Sequence, residues 1–235
     1  MPIKKQHGNM YEWVTKMHSF LGGECPHGCK YCYVGTGVSG RPPRYTGVTN
    51  LVEAEFKHGY GFSTPQVIFI EHMQDLFAEG VPDAFIRRVL AHCKRWPKNT
   101  YVVQTKNPLR YQDFLSEFPV NCILGTTIES DIWYPEAMGK APLPYARYIG
   151  MTKVPKQFKR FLTIEPVMRF SLEQFSKWIA EIKPDFINLG ANSKELVGLT
   201  LVEPTVEEVM ALVAELHTKG VELREKGNLE RLKTK

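Results

Sequence analysis

The stretch QVIFIEHMQDLFAEGVPDAFIRRVLAHCKRWPKNTYVVQTKN, residues 66–107, decides the fold. It opens on a β-branched apolar run, QVIFIEH (66–72), that ends in polar residues. PDAFIRRVLAHCKRW (82–96) then repeats Phe85, Val89 and Ala91–His92 at helical spacing, behind a Pro82 that suits a helix start. TYVVQTKN (100–107) is a second strand-like run. Strand, helix and strand in that order predict two parallel strands joined by a right-handed crossover.

The alternation continues on both sides. PLRYQDFLSEF (108–118) reads as a helix opening at Pro108, and CILGTTIES (122–130) as a strand. RFLTIEP (160–166) is the next strand and SLEQFSKWIAEI (171–182) the next helix, with Ser171 and Gln174 spaced as a capping box. DFINLGANS (185–193) is a strand, and TVEEVMALVAELHTKG (205–220) a helix running from a Thr205/Glu208 box to Gly220. Upstream, KMHSFLGGE (16–24) reads as the first strand and Asn50 to about His58 as the first helix. Six strands, each followed by a helix, are too few for a closed eight-fold barrel. The expectation is α/β: an open (βα)6 barrel or a doubly wound sheet, with function at the C-terminal ends of the strands. Those ends carry Glu71 and His72; Gln104, Thr105, Lys106 and Asn107; Thr127, Glu129 and Ser130; Thr163 and Glu165; Asn188, Asn192 and Ser193. Five polar endings on one face make a ligand pocket.

With 43% apolar residues, the 235-residue chain can bury a core as one domain spanning 1–235, with a short charged tail from about 221. It has no run of eighteen apolar residues, and its N-terminal stretch lacks an apolar signal segment. The expectation is a cytoplasmic protein with no membrane contact. The net charge of +5 permits a polyanionic partner without requiring one.

Three of the five cysteines, Cys25, Cys29 and Cys32, fall in GGECPHGCKYCYVG (22–35). Pro26 and Gly28 break any helix there, so a loop must carry the thiols. Three thiolates can hold three irons of a [4Fe–4S] cluster and leave one iron open for a ligand. The alternative is zinc held by the three cysteines with His27, His18 or a distant residue. Cys93, in a helix, and Cys122, at a strand start, read as core residues.

Cys25-x3-Cys29-x2-Cys32, with Tyr31 before the last cysteine, resembles the signature of the radical S-adenosylmethionine (SAM) superfamily. VIFIEHMQDLFAEGVPDAFIRRVL, TYVVQTKNPLRYQDFL, ILGTTIES and RFLTIEPVM resemble a phage- and bacteria-associated radical SAM family of unassigned substrate, while CPHGCKYCY is similar to the cysteine loop of spore photoproduct lyase. The resemblance implies a partial (β/α)6 barrel of the radical SAM type. It implies a [4Fe–4S] cluster, and S-adenosyl-L-methionine chelated to the open iron. It also implies reductive cleavage to a 5′-deoxyadenosyl radical that takes hydrogen from a substrate. By position it places Tyr31 beside the adenine and Glu71, with Asp75 as competitor, on the SAM amino group. Lys106 and Arg147 go to the SAM carboxylate, Glu129 or Ser130 to the ribose, Glu165 to ribose or substrate, and Asn188 and Asn192 to the adenine side. An electron donor of the flavodoxin or ferredoxin kind is implied.

The linker YVGTGVSGRPPRYTGVTN (33–50), with Arg41, Arg44 and Tyr45, can be read as a contact for nucleic acid or as an ordinary long loop. Trp133, Tyr134, Tyr145 and Tyr148 are candidate pocket residues. The expected substrate is a nucleotide or nucleic-acid base. The alternatives are a peptide or small metabolite, and, from another class, a zinc-stabilised nucleic-acid-binding protein without catalysis. A partner protein could cover the open side of the barrel.

Overall fold

The computed structural model describes residues 3–5, 8, 10–34, 42–192 and 201–234. Ser193, Arg41 and the rest of 35–41 lie outside the described residues. The strands are β1 (Lys4–Lys5), β2 (Lys16–His18), β3 (Leu21–Gly22), β4 (Asn50–Leu51), β5 (Val67–Ile70), β6 (Thr100–Thr105), β7 (Cys122–Thr127), β8 (Lys159–Ile164), β9 (Phe186–Leu189) and β10 (Glu222–Glu225). The helices are α1 (Asp83–Lys94), α2 (Pro135–Met138), α3 (Pro144–Thr152), α4 (Leu172–Ile182), α5 (Val206–Thr218) and α6 (Glu230–Lys233).

One sheet runs β1-β2-β5-β6-β7-β8-β9-β10, and β3 pairs separately with β4. From β2 to β10 every neighbouring pair is parallel, and β1 lies antiparallel on the edge. The strands neighbour one another in chain order, which is the winding of a barrel and not of a doubly wound sheet. Among the described residues the two edges do not meet, so the barrel is partial. Its last parallel strand, β10, comes from the segment expected to be a charged tail.

The two faces of the sheet have separate cores because side chains alternate along each strand. Ile68, Ile70, Tyr101, Val103, Leu162, Ile164, Ile187 and Leu189 pack outward with α1, α4 and α5. Phe69, Val102, Phe161 and Phe186 point the other way, and Tyr11, Val14 and Met17 fill the concave side against them. Trp13 stacks on Tyr11 and meets Phe161 and Phe186 edge-on, so residues 11–17 plug the barrel interior. Gly125 faces inward between Gln104 and Phe161, and a Cβ there would lie 2.2 Å from the nearest atom of the Phe161 ring. Gly125→Ala is therefore expected to cost about 1–3 kcal/mol through overpacking, read as a lower urea midpoint at unchanged slope.

Several local expectations change. The strand over 16–24 breaks at Ser19–Phe20, because the Glu71 carboxylate accepts from the Phe20 and Leu21 amides at 2.8 and 3.1 Å. The helix expected from Asn50 is a strand pair followed by a 3-10 turn, Glu53–Lys57, and the one from Pro108 is a 3-10 segment, Pro108–Phe114. Thr205 and Glu208 form their capping box, but Ser171 makes no side-chain cap; its amide donates to Asp131 at 2.9 Å. Cys93 and Cys122 are buried core residues as expected. Among the described residues no helix is long and apolar enough to cross a membrane.

Candidate functional site

A cavity of about 710 Å³ opens at the C-terminal ends of the parallel strands, a size typical of small-molecule sites. Tyr11 forms part of its floor, with its hydroxyl 2.6 Å from Thr163 and 2.8 Å from Gln104. Glu71 and His72 follow β5, Gln104 to Lys106 end β6, and Thr127, Thr163, Glu165 and Asn192 follow round the rim. Lys226, just after β10, completes the ring and pairs with Glu165 at 2.7 Å.

Cys25, Cys29 and Cys32 all line this cavity and are half-buried. Their loop turns at Gly28, which sits in the left-handed region at φ +59°. It is clasped from outside by the segment around α2: Lys30 N donates to Ala137 O at 2.9 Å, and Cys29 Sγ lies 3.4 Å from Met138 O. Burial pushes the Cys25 thiol up to about 12 and raises Cys29 as well. Thiols held neutral are poor nucleophiles, whereas a metal deprotonates its coordinating thiols outright. The donor set thus suits ligation better than covalent catalysis.

Neither histidine weighed as a fourth zinc ligand is turned to the thiols. His27 Nε2 lies 2.7 Å from Asp75, and His18 lies between Tyr60 and Glu55 at 2.5 and 3.0 Å. Among the described residues, no three His, Cys, Asp or Glu side chains gather round one point as a single ion requires. A cluster places no such demand, because each thiolate binds a different iron.

Glu129 is fully buried and joins four parts of the chain. Arg147 Nη1 donates to one oxygen at 2.6 Å; Lys106 Nζ at 2.8 Å and the Tyr31 hydroxyl donate to the other. Burial pushes this carboxyl up, but Arg147, Lys106 and the hydrogen bonds from Lys106 and Tyr31 outweigh it and hold it at about 2. Two of the expected ligand residues thus lie behind the cavity wall. Arg147 is sealed behind Glu129, with Nε on Pro142 O at 2.6 Å, and does not line the cavity. Glu129 likewise anchors Tyr31 of the cysteine loop and does not line the cavity.

Glu71 lines the cavity in the left-handed region, at φ +63°. Holding a non-glycine residue there costs on the order of 1–3 kcal/mol. Its Oε2 takes the two amides of the broken first strand, while Oε1 is buried with no hydrogen-bond partner among the described residues. Burial raises this carboxyl to about 7, with the Phe20 and Leu21 amides pulling the other way. Gln74 Oε1, on another lining residue, also lacks a partner. Two orphaned acceptors on one cavity are a cradle for a cation or donor group.

Other expected residues lie elsewhere. Ser130 Oγ is buried and donates to Arg169 O at 2.6 Å. Asn188 sits below the floor, with Trp13 Nε1 3.4 Å from its Oδ1. Asp75 is fully engaged, as its oxygens accept from His27 and from the Lys106 and Phe77 amides. Tyr145 and Tyr148 pack on Trp178 outside the sheet, and Trp133 and Tyr134 pack near Met138 and Met168. Arg44 is turned inward onto Glu55, Ser19 O and Leu21 O, and Tyr45 is buried. Of the linker's described residues, Tyr33 and Tyr45 line the cavity, whereas Arg44 does not. Sequence reasoning missed Tyr11, Gln74 and Lys226. Of these, only Lys226 carried any signal, as a charge in a segment read as a tail.

Residues 11–180 match the profile of a family described as "Protein of unknown function (DUF5131)". No curated protein matches the chain. Among solved structures it resembles spore photoproduct lyase complexed with dinucleoside spore photoproduct, at 9% identity and TM-score 0.65, over 94% of this chain and 78% of that one. It also resembles Streptococcus suis SuiB bound to S-adenosylmethionine, at 13% identity and TM-score 0.61, over 90% of this chain and 50% of that one. SuiB bound to the precursor peptide SuiA is similar at 12% identity and TM-score 0.62, over 90% and 48%. At these identities the likeness is one of fold.

Proposed function

The chain belongs to the DUF5131 family, so its activity has to be read from its own site, and we propose that it is a radical SAM enzyme. The observation that carries this reading is the set of three thiols, with neither His27 nor His18 turned to them, on a cavity at the polar ends of a partial barrel. The residues fit the group: Cys25, Cys29 and Cys32 would hold a [4Fe–4S] cluster, and the cavity has room for S-adenosyl-L-methionine beside it. When bound, these cofactors supply one-electron cleavage of SAM and hydrogen abstraction from a substrate.

The chain's own residues bind and orient. Glu71 Oε1 is the acceptor for the SAM ammonium, since a carboxylate answers an ammonium with a charge-assisted bond. Tyr31, fixed by Glu129, sets the cysteine loop against Lys106. Glu165, Lys226 and Asn192 hold the far side, where Tyr11 and Phe69 add aromatic walls. A paired carboxylate and ammonium there present an acceptor next to a donor, which suits the carbonyl and N–H edge of a nucleobase. The fold likeness to a lyase solved with a dinucleoside supports the same substrate class. A small flavodoxin- or ferredoxin-like donor would deliver the electron.

The test is anaerobic reconstitution with iron and sulfide, reduction with dithionite, addition of SAM and chromatography for 5′-deoxyadenosine. Production of 5′-deoxyadenosine, raised by oligonucleotides or nucleosides and not by peptides, is the expected result. Zinc retained in place of iron would overturn the radical reading, and stimulation by peptides alone would overturn the substrate class. Glu71→Gln keeps an oxygen for the Phe20 and Leu21 amides, so the fold is expected to survive. Its SAM affinity, measured by equilibrium dialysis on cluster-loaded protein, is expected to fall roughly 10- to 100-fold, the worth of one charge-assisted bond.

A further inference from the structure

His27 stands between two of the cysteines, yet it is buried and faces away from them. Its Nε2 meets Asp75 Oδ2 at 2.7 Å across 48 residues of chain. Asp75 in turn accepts from Lys106 N at 2.7 Å, just past β6, and from Phe77 N at 2.9 Å. One carboxylate therefore ties the cysteine loop to the ends of two parallel strands. The backbone of the same histidine is gripped from the opposite side, where Lys140 N donates to His27 O at 2.7 Å. Gly139 makes that approach possible: a Cβ there would lie 2.6 Å from both His27 O and Gly28 O, and its φ is +63°.

These contacts do not involve a thiol, so they hold the loop whether or not metal is bound. Burial raises the Asp75 carboxyl, but His27 and the donated hydrogen bonds more than offset this and keep it below the usual range. Cys25, His27 and Asp75 all line the cavity, and the buried Asp75 charge is near enough to raise the Cys25 thiol.

We propose that Asp75 and His27 are positioning residues that pre-set the cysteine loop, and that the Asp75 charge holds the bound cluster at a lower reduction potential. This inference rests on the cluster reading above. Reduction adds an electron to the cluster, and a fixed anion in a low-dielectric wall opposes that step. Partners one shell behind metal ligands are worth about 10- to 100-fold in metal affinity.

The experiment uses the reconstituted full chain, with iron loss to a chelator and the midpoint potential as readouts. His27→Ala is expected to fold, since Asp75 keeps the Lys106 and Phe77 amides as donors, and to lose iron at least about tenfold faster than the unmodified protein. His27→Gln, which keeps a donor toward Asp75, is expected to restore most of that resistance. Asp75→Asn is expected to shift the midpoint to a more positive value. Wild-type iron loss in His27→Ala overturns the positioning role, and an unchanged midpoint in a cluster-loaded Asp75→Asn overturns the charge effect. Should Asp75→Asn fail to fold, His27→Ala and its rescue by glutamine decide the positioning role, and the midpoint of His27→Ala decides the charge effect. There the carboxylate loses the partner that offsets its burial and moves toward the neutral acid, so the midpoint is expected to rise as in Asp75→Asn, and an unchanged value overturns the effect. If the unmodified protein binds no four-iron cluster, the failure belongs to the proposed function and not to this inference.

Discussion

Replacing any one of Cys25, Cys29 or Cys32 with alanine is expected to abolish cluster retention and 5′-deoxyadenosine formation together. His27 and His18 are each held by a carboxylate elsewhere, and Cys93 and Cys122 are buried in the outer core. A missing thiolate therefore has neither a spare cysteine nor one of these two histidines to replace it. Cys93→Ala and Cys122→Ala should keep the brown cluster and SAM cleavage, and lose only the stability that a small core truncation costs, about 0.5–3 kcal/mol. The measurement is iron and sulfide content with visible absorbance for all five variants. Cluster loss in Cys93→Ala would mean that the three-thiol assignment is wrong.

Removing one member of the Glu129 pair is expected to have the largest effect on stability. Glu129→Ala would leave Arg147 charged and buried, whereas Arg147→Ala would leave the carboxylate one ion partner, Lys106. Breaking a buried pair from one side costs about 3–5 kcal/mol, because the remaining charge has no solvent to return to. The effect should also follow pH. A carboxyl held at about 2 when folded, against 4.5 otherwise, contributes stability that is full above 4.5 and disappears as pH falls toward 2. Urea midpoints measured between pH 6 and pH 3 should therefore fall more steeply in the unmodified protein than in Glu129→Gln. Parallel curves would show that Glu129 is not the group responsible.

Much of the fold was legible because its signals are local. Parallel strands buried on both faces read as apolar runs, and the Thr205/Glu208 box is contained in four residues. Ser171 and Gln174 have the same spacing and fail, because Asp131, forty residues away, takes the Ser171 amide instead. The strand Glu222–Glu225 escaped because it is an edge strand. It alternates charges where a central strand would show apolar residues, with Arg224 lying over Phe186 and Lys233 paired with Glu225. The site divides in the same way. Three cysteines eight residues long announce themselves, whereas Glu129 meets Tyr31 across 98 residues and Asp75 meets His27 across 48. No pattern in a single sequence marks which distant carboxylate will turn toward the loop.

The order of the strands also bears on how the molecule is made on the ribosome. Apart from β3 and β4, which pair separately, each new strand pairs beside the strand of the sheet made before it, so the sheet can lengthen as the chain emerges. The thiols, however, are synthesised early, and every group that steadies their loop comes later: Asp75, Lys106, Glu129 and finally the Gly139–Lys140 turn. Until that turn has left the exit tunnel, the loop lacks the last of its supports, and the three thiols are more open to oxidation and to stray metal. Under the proposed function, iron is best delivered after synthesis has passed that point, and a reducing environment matters to the nascent chain before it matters to the finished protein.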